Sequence, residues 1–362
     1  MMTTPSFVKT PSLVKTLCAA ALAGAALIAP AQAAEKTEFK VAWSIYVGWM
    51  PWGYMEDSGI MDKWADKYGI DVEIVQINDY VESINQYTAG AFDGVSATNM
   101  DTLSIPAGGG VDTTALIVGD FSNGNDAVLV KGDAGFADLK GERINLVELS
   151  VSHYLLARGL ESAGMTEADI SVVNTSDADM IAAFATDDVV AAVTWNPLVS
   201  TILESPDAKK IYDSADIPGE IIDLMVVNTE TLAANPNFGK ALVGAWYETM
   251  ALMASDTPEG IAARTAMAEA SGTDLAGYDA QLATTQMFYT PAEAVAFTED
   301  KSLIQTMDFV RNFLFTHGIL GEGLGIDDVG MAFPGDETLG DTANIKFRFD
   351  PSYMQMAADG AL

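Results

Sequence analysis

From Phe39 onward, short apolar runs alternate with segments in which apolar residues recur every three or four positions. Residues 39–43, 72–76, 94–98 and 114–119 read as strands, and 55–68 and 80–89 between them read as amphipathic helices. After the polar, glycine-containing stretch Phe121-Ser122-Asn123-Gly124-Asn125-Asp126 the pattern restarts. It gives strands at 127–130, 144–147, 170–173 and 189–194, and helices at 152–163 and 178–186. A second break falls at Ile217-Pro218-Gly219-Glu220. Beyond a strand at 224–228, helical spacing dominates through 237–254, 258–270, 291–298 and 302–316, and the chain past His317 is glycine-rich and irregular. Strand–helix alternation of this kind predicts mainly parallel sheets covered by helices.

Two α/β units joined by two short crossings predict a two-lobed clamshell of the periplasmic-binding-protein type with a helical C-terminal third. Residues 34–121 and 224–333 form its first, discontinuous lobe, 122–223 its second, and 334–362 a tail. Parallel α/β sheets bind ligands beyond the carboxyl ends of their strands, and in a clamshell those ends face each other. That rule selects candidate ligand-binding residues. In the first lobe they are the glycine-containing loop after Trp43, with Tyr46 and Trp49, and then Thr98 and Asn99. One of Thr98 and Asn99 caps the following helix and the other is free to face the cleft. In the second lobe they are Glu148, Ser150 and Ser152, followed by Trp195 and Asn196 before Pro197. A serine cap there leaves helix N–H groups for an oxyanion or carbonyl oxygen. Asp223, at the return crossing, either caps or pairs locally, or faces the aromatic walls and holds a cation or urea-like N–H groups.

The first 33 residues read as an export leader: Lys9 and Lys15, an apolar stretch to Pro30, and Ala31-Gln32-Ala33 as the cleavage site. Cys18, the only cysteine, falls inside it, so the exported chain has no disulfide framework. Of 18 basic side chains the leader holds two, leaving 16 against 51 acidic ones. Such a balance excludes nucleic acid and anionic membrane surfaces as partners. Adaptation to salt explains the acidity as simply as attraction of a cationic ligand does. His153 and His317, the only histidines, have no ligand-spaced companions, and no phosphate-cradling glycine loop appears. Neither a metal, a cofactor nor an enzyme is expected from these residues.

Asp138-Leu139-Lys140-Gly141, Ser150-Val151-Ser152-His153-Tyr154-Leu155-Leu156, Leu160-Glu161-Ser162-Ala163-Gly164 and Ala191-Ala192-Val193-Thr194-Trp195-Asn196-Pro197 resemble the nitrate/sulfonate/taurine-type solute-binding proteins of ABC importers. Within that family the aromatic loop and Phe347-Arg348-Phe349-Asp350-Pro351 are similar to the branch linked to urea- or guanidine-degrading carboxylases. The resemblance implies a monomeric periplasmic receptor that delivers a small planar, nitrogen-rich solute to a permease and its ATPase. Two alternatives stand beside it. One is a receptor for a small anion (nitrate, taurine, an alkylsulfonate). The other is an enzyme resembling a pyrimidine-precursor synthase, against which the missing cysteines argue.

Overall fold

The computed structural model describes residues 36–321 and 323–362, so the leader read at 1–33, with Cys18, lies outside the described residues. The chain opens with β1 (Glu38–Trp43), β2 (Asp71–Gln76), β3 (Gly94–Thr98) and β4 (Thr113–Ser122). In β1, Phe39 and Val41 point into the core and Glu38 and Lys40 to solvent, the alternation of a half-covered strand. β3 and nearly all of β4 are buried on both faces, as expected of central strands covered by helices on either side.

A second sheet is built from β5 (Ala127–Lys131), β6 (Arg143–Leu146), β7 (Ser171–Asn174), β8 (Ala191–Thr194) and β9 (Ala208–Asp213), in the order β7-β6-β8-β5-β9. The chain then returns through β10 (Ile222–Asn228) and adds β11 (Thr285–Met287), β12 (Gly330–Phe333), β13 (Glu337–Leu339) and β14 (Ile345–Phe349). These complete a nine-stranded first sheet of order β13-β12-β14-β4-β10-β3-β1-β2, with β11 paired to the far end of β4. β10 runs antiparallel to both β3 and β4. Its beginning, with Asp223, therefore lies beside the ends of those two strands. In the second sheet β5 runs antiparallel to β8, which brings the start of β5 next to the end of β8. Each sheet carries one lobe, and these strand ends form the facing rims.

Among the departures from the sequence pattern, three shape the first lobe. The helix expected over 55–68 is two helices, Met50–Asp57 and Ile60–Tyr68, parted at Gly59, whose φ of 73° favours glycine. The aromatic segment expected as a loop broken by Gly48 and Pro51 is a 3-10 turn, Val47–Trp49, running into the first of those helices. Pro51 sits in the first helical turn, where its missing N–H removes no bond. The segment 334–362, expected as a tail, places β14 between β12 and β4 with Phe347 and Phe349 buried, and its final helix, Ser352–Ala358, packs on helix Pro236–Met253.

Aromatic packing locks the first lobe. Trp52 stacks on Trp246 with ring centroids 4.9 Å apart. Gly244, on the same helix as Trp246, lies under the Trp64 ring, and a methyl group there would overlap it. Gly244→Val is therefore expected to lower stability by about 1–3 kcal/mol, the usual cost of overpacking. Urea unfolding should show a lower midpoint with an unchanged slope.

Candidate functional site

Where the rims meet, Tyr46, Trp49, Tyr80, Thr98, Asp126, Val151, Trp195 and Asp223 line a narrow cavity of about 10 Å³. Four of these are aromatic and form a continuous wall. Tyr46 meets Trp49 edge-on at 5.1 Å, Trp49 meets Tyr80 at 5.7 Å, and Tyr80 meets Trp195 edge-on at 5.5 Å. The polar end of each ring but Trp49 is tied down. Tyr46 Oη donates to Asp120 Oδ1 (2.7 Å), Tyr80 Oη to Asp101 Oδ2 (2.7 Å), and Trp195 Nε1 to the Ile45 carbonyl of the other lobe (3.0 Å). The ring faces are thus fixed in place, as a stacking platform requires.

The second feature is charge. Asp223 and Asp126 line the cavity, and Asp120 and Asp101 stand directly behind its wall; all four are almost fully buried. No Lys, Arg or His lines the cavity, and none of the four aspartates enters an ion pair among the described residues. Burial pushes the Asp101 carboxyl up to about 6 and Asp126 to about 7. Asp223 rises well above the ordinary carboxylate range, from burial first and then repulsion by Asp120 and Asp126.

Of the eleven candidate residues, Tyr46, Trp49, Thr98, Trp195 and Asp223 line this cavity. Thr98 both caps the helix Asn99–Thr102 and borders the cavity. The other six lie elsewhere. Trp43 packs over Gly53 on the far side of the turn. Asn99, expected to be free if Thr98 caps, braces the return crossing, with Oδ1 accepting from the Ile222 N–H (3.0 Å) and Nδ2 donating to the Glu220 carbonyl (3.1 Å). Glu148 is exposed, and its N–H bonds Asn174. Ser150 caps helix Val151–Ser162 and donates to the Val147 carbonyl. Ser152 is buried off the cavity, its hydroxyl unpartnered among the described residues. Asn196 ties the lobes instead: its carbonyl accepts the Val47 N–H (3.2 Å), and its side chain bonds Ser200 and Thr284.

The helix terminus expected to meet an oxyanion is already met from within. The Val151 N–H donates to Asp101 Oδ2 across the lobes at 3.1 Å, so a carboxylate of the chain holds the place of an external anion. Tyr80, Asp126, Asp120 and Asp101 are absent from the candidates. Tyr80 is concealed in helical spacing, and Asp126 in a stretch that reads as linker. Asp120 lies one residue past the expected end of β4, and an extension of that strand would have revealed it. His153 accepts the Leu149 N–H at Nδ1 and is held below its ordinary pKa by burial, a packing role.

Over residues 63–260, more than half the chain, the sequence matches the protein family described as NMT1/THI5 like. A protein of Brucella abortus (strain 2308) named as a binding protein is 26% identical over 181 residues, 49% of this chain and 56% of that protein. The chain thus spans about half the length of the curated relatives it matches. The taurine-binding periplasmic protein of Escherichia coli (strain K12) is 27% identical over 129 residues, 35% of this chain and 40% of that one. The alkanesulfonate-binding protein SsuA of Xanthomonas axonopodis pv. citri, bound to MOPS, superposes with a TM-score of 0.64 at 18% identity, covering 80% of this chain and 96% of that one. At that identity the likeness is one of fold, and it is the two-lobed α/β fold expected from the strand pattern. These relatives carry the names of binding proteins, not of enzymes.

The raised carboxyls fix how stability responds to pH. An acid that binds its proton more tightly folded than unfolded loses its stabilising contribution as pH rises through the folded pKa. From pH about 4, Asp101 up to about pH 6 and Asp126 up to about pH 7 should each subtract up to about 1.4 kcal/mol per pH unit. Thermal unfolding of the ligand-free protein should show stability falling over that range, and Asp126→Asn should flatten the fall.

Proposed function

The chain belongs to the NMT1/THI5-like family, and on that footing we propose that it is the solute-capturing component of an ABC importer. It acts as a monomer in the periplasm and delivers its solute to a permease and ATPase. The solute is a small planar organic cation of guanidinium type, with urea as its weaker, neutral counterpart. One observation carries the reading: four fixed aromatic rings and two carboxylates, with no basic side chain, enclose the cavity. A guanidinium presents flat faces to the rings and in-plane N–H donors to Asp223 and Asp126, so both features are used at once.

The relatives' names favour a second reading, a small anion such as taurine or an alkanesulfonate. The charge of this cavity weighs against it. A sulfonate about 4 Å from an ionised Asp223 meets repulsion on the order of 4 kcal/mol at an effective dielectric near 20. The one helix N–H at the wall, that of Val151, is already given to Asp101. An anion would need the carboxyls protonated and should bind better in acid.

A thermal-shift panel of guanidinium, urea, taurine, nitrate and an alkylsulfonate at pH 8 separates the two. Guanidinium at about a hundred times its Kd should add roughly 2.7 kcal/mol. Asp223→Asn should then cost guanidinium about 2 kcal/mol or more and urea less, because only the cation loses a charge-assisted bond. Stabilisation by taurine or the sulfonate at pH 8, with none by guanidinium, would establish the anion reading instead.

A further inference from the structure

We propose that Asp120 and Asp223 share one proton in the empty cavity and release it when a cation enters, so that Asp120, which does not line the cavity, makes the site prefer a charged ligand to its neutral isostere. The inference rests on the cation reading above.

The two carboxylates are direct cross-strand partners, Asp223 of β10 opposite Asp120 of β4. Both are buried, at 3% and 0% exposure. Asp120 Oδ1 receives the Tyr46 hydroxyl at 2.7 Å, with the Thr285 hydroxyl more distant at 3.4 Å. The Oδ2 atom of each aspartate has no partner among the described residues. Gly48, in the aromatic turn, closes over this pair: a Cβ there would stand 2.7 Å from Asp120 Oδ2. Two ionised carboxylates opposite each other, without water or a cation, repel strongly, and one proton held between them removes most of the cost.

Among the described residues the surroundings supply no substitute cation. Asp126 follows β4, Asp101 lies on the helix after β3, and Tyr46 faces the pair from the aromatic turn. Tyr278 and Tyr289 face Asp120 from either side of β11. Arg264, which acts on those two tyrosines, is itself paired with Asp279 and Asp256. Burial raises Asp120 to about 7, and burial with repulsion by Asp120 raises Asp223 further.

In the binding step a cation enters, the shared O–H bond breaks, and the proton passes to bulk solvent. The bound cation then faces both carboxylates ionised. Because the bound state holds the proton less tightly, a cation should bind more tightly as pH rises, by up to about tenfold per unit. A neutral ligand gains nothing from the exchange.

Two measurements test this on the exported chain. In the ligand-free protein, carbon-13 NMR of labelled aspartates should show a carboxyl proton retained above pH 6, assigned to the pair by its change in Asp120→Asn. Titration of every aspartate below pH 5 would overturn the proposal without reference to any ligand. Calorimetry with guanidinium chloride in buffers of different ionisation enthalpy should show proton release at pH 6.5 and a Kd that falls from pH 5.5 to 8. Urea should show neither, and Asp120→Asn should move the guanidinium slope to lower pH by a unit or more. Guanidinium binding with a constant Kd and no proton release overturns this inference and leaves the cation reading standing. If guanidinium fails to bind at any pH while the shared proton is seen, both the exchange and the cation reading fall.

Discussion

Desolvation of carboxylates is the constraint around which this molecule is organised. Asp101, Asp120, Asp126 and Asp223 are buried close to one another, and among the described residues no lysine, arginine or histidine pairs with any of them. Such groups persist only when hydrogen bonds or protons replace lost water. The chain supplies neutral donors: the hydroxyls of Tyr46, Tyr80, Thr98 and Ser122, and the Val151 N–H. The tyrosines therefore serve two purposes. Their hydroxyls hold the acids, and that bond fixes the ring faces that border the cavity.

The same economy governs the contact between lobes. Several polar bonds cross it: Val151 N–H to Asp101, Trp195 Nε1 to the Ile45 carbonyl, Val47 N–H to the Asn196 carbonyl, and Tyr80 N–H to Asp177. Polar contacts exchange for water when surfaces part, so they cost less to open than an apolar interface of the same area. Aromatic contacts cross it as well, Tyr80 on Trp195 and Tyr154 on Phe313, while the Trp52–Trp246 and Phe39–Phe238 stacks lie within the first lobe.

The net charge of −33 and the acidic cavity are separate matters. Surface acids are solvated and screened within about 10 Å at 0.1 M salt, and they set solubility more than recognition. The buried four are unscreened. Once ionised, they alone act on a ligand between the rings with a field strong enough to sort cations from anions.

Apolar periodicity determined the elements with strong local signals: β1, β3, helix Pro258–Ala270 and the restart that gives the second sheet. Those signals depend on burial of one face or both, which composition encodes residue by residue. The strand-end rule then found Tyr46, Trp49, Thr98 and Trp195, which follow or close strands whose carboxyl ends converge, and the return crossing pointed to Asp223. Tertiary structure alone decided the rest. Ser150 and Asn99 satisfy local and crossing backbone groups, a demand invisible until the partners are adjacent. β14 joins the first sheet from a segment with no clear period, because its place depends on the free edge left by β4. The antiparallel entry of β10 sets Asp223 opposite Asp120, and that of β5 sets Asp126 at the same rim. Pairing direction follows from how the whole sheet closes, and no local pattern carries it; the sequence therefore showed three of the rings and one of the acids, and the folded chain alone added Tyr80, Asp101, Asp120 and Asp126.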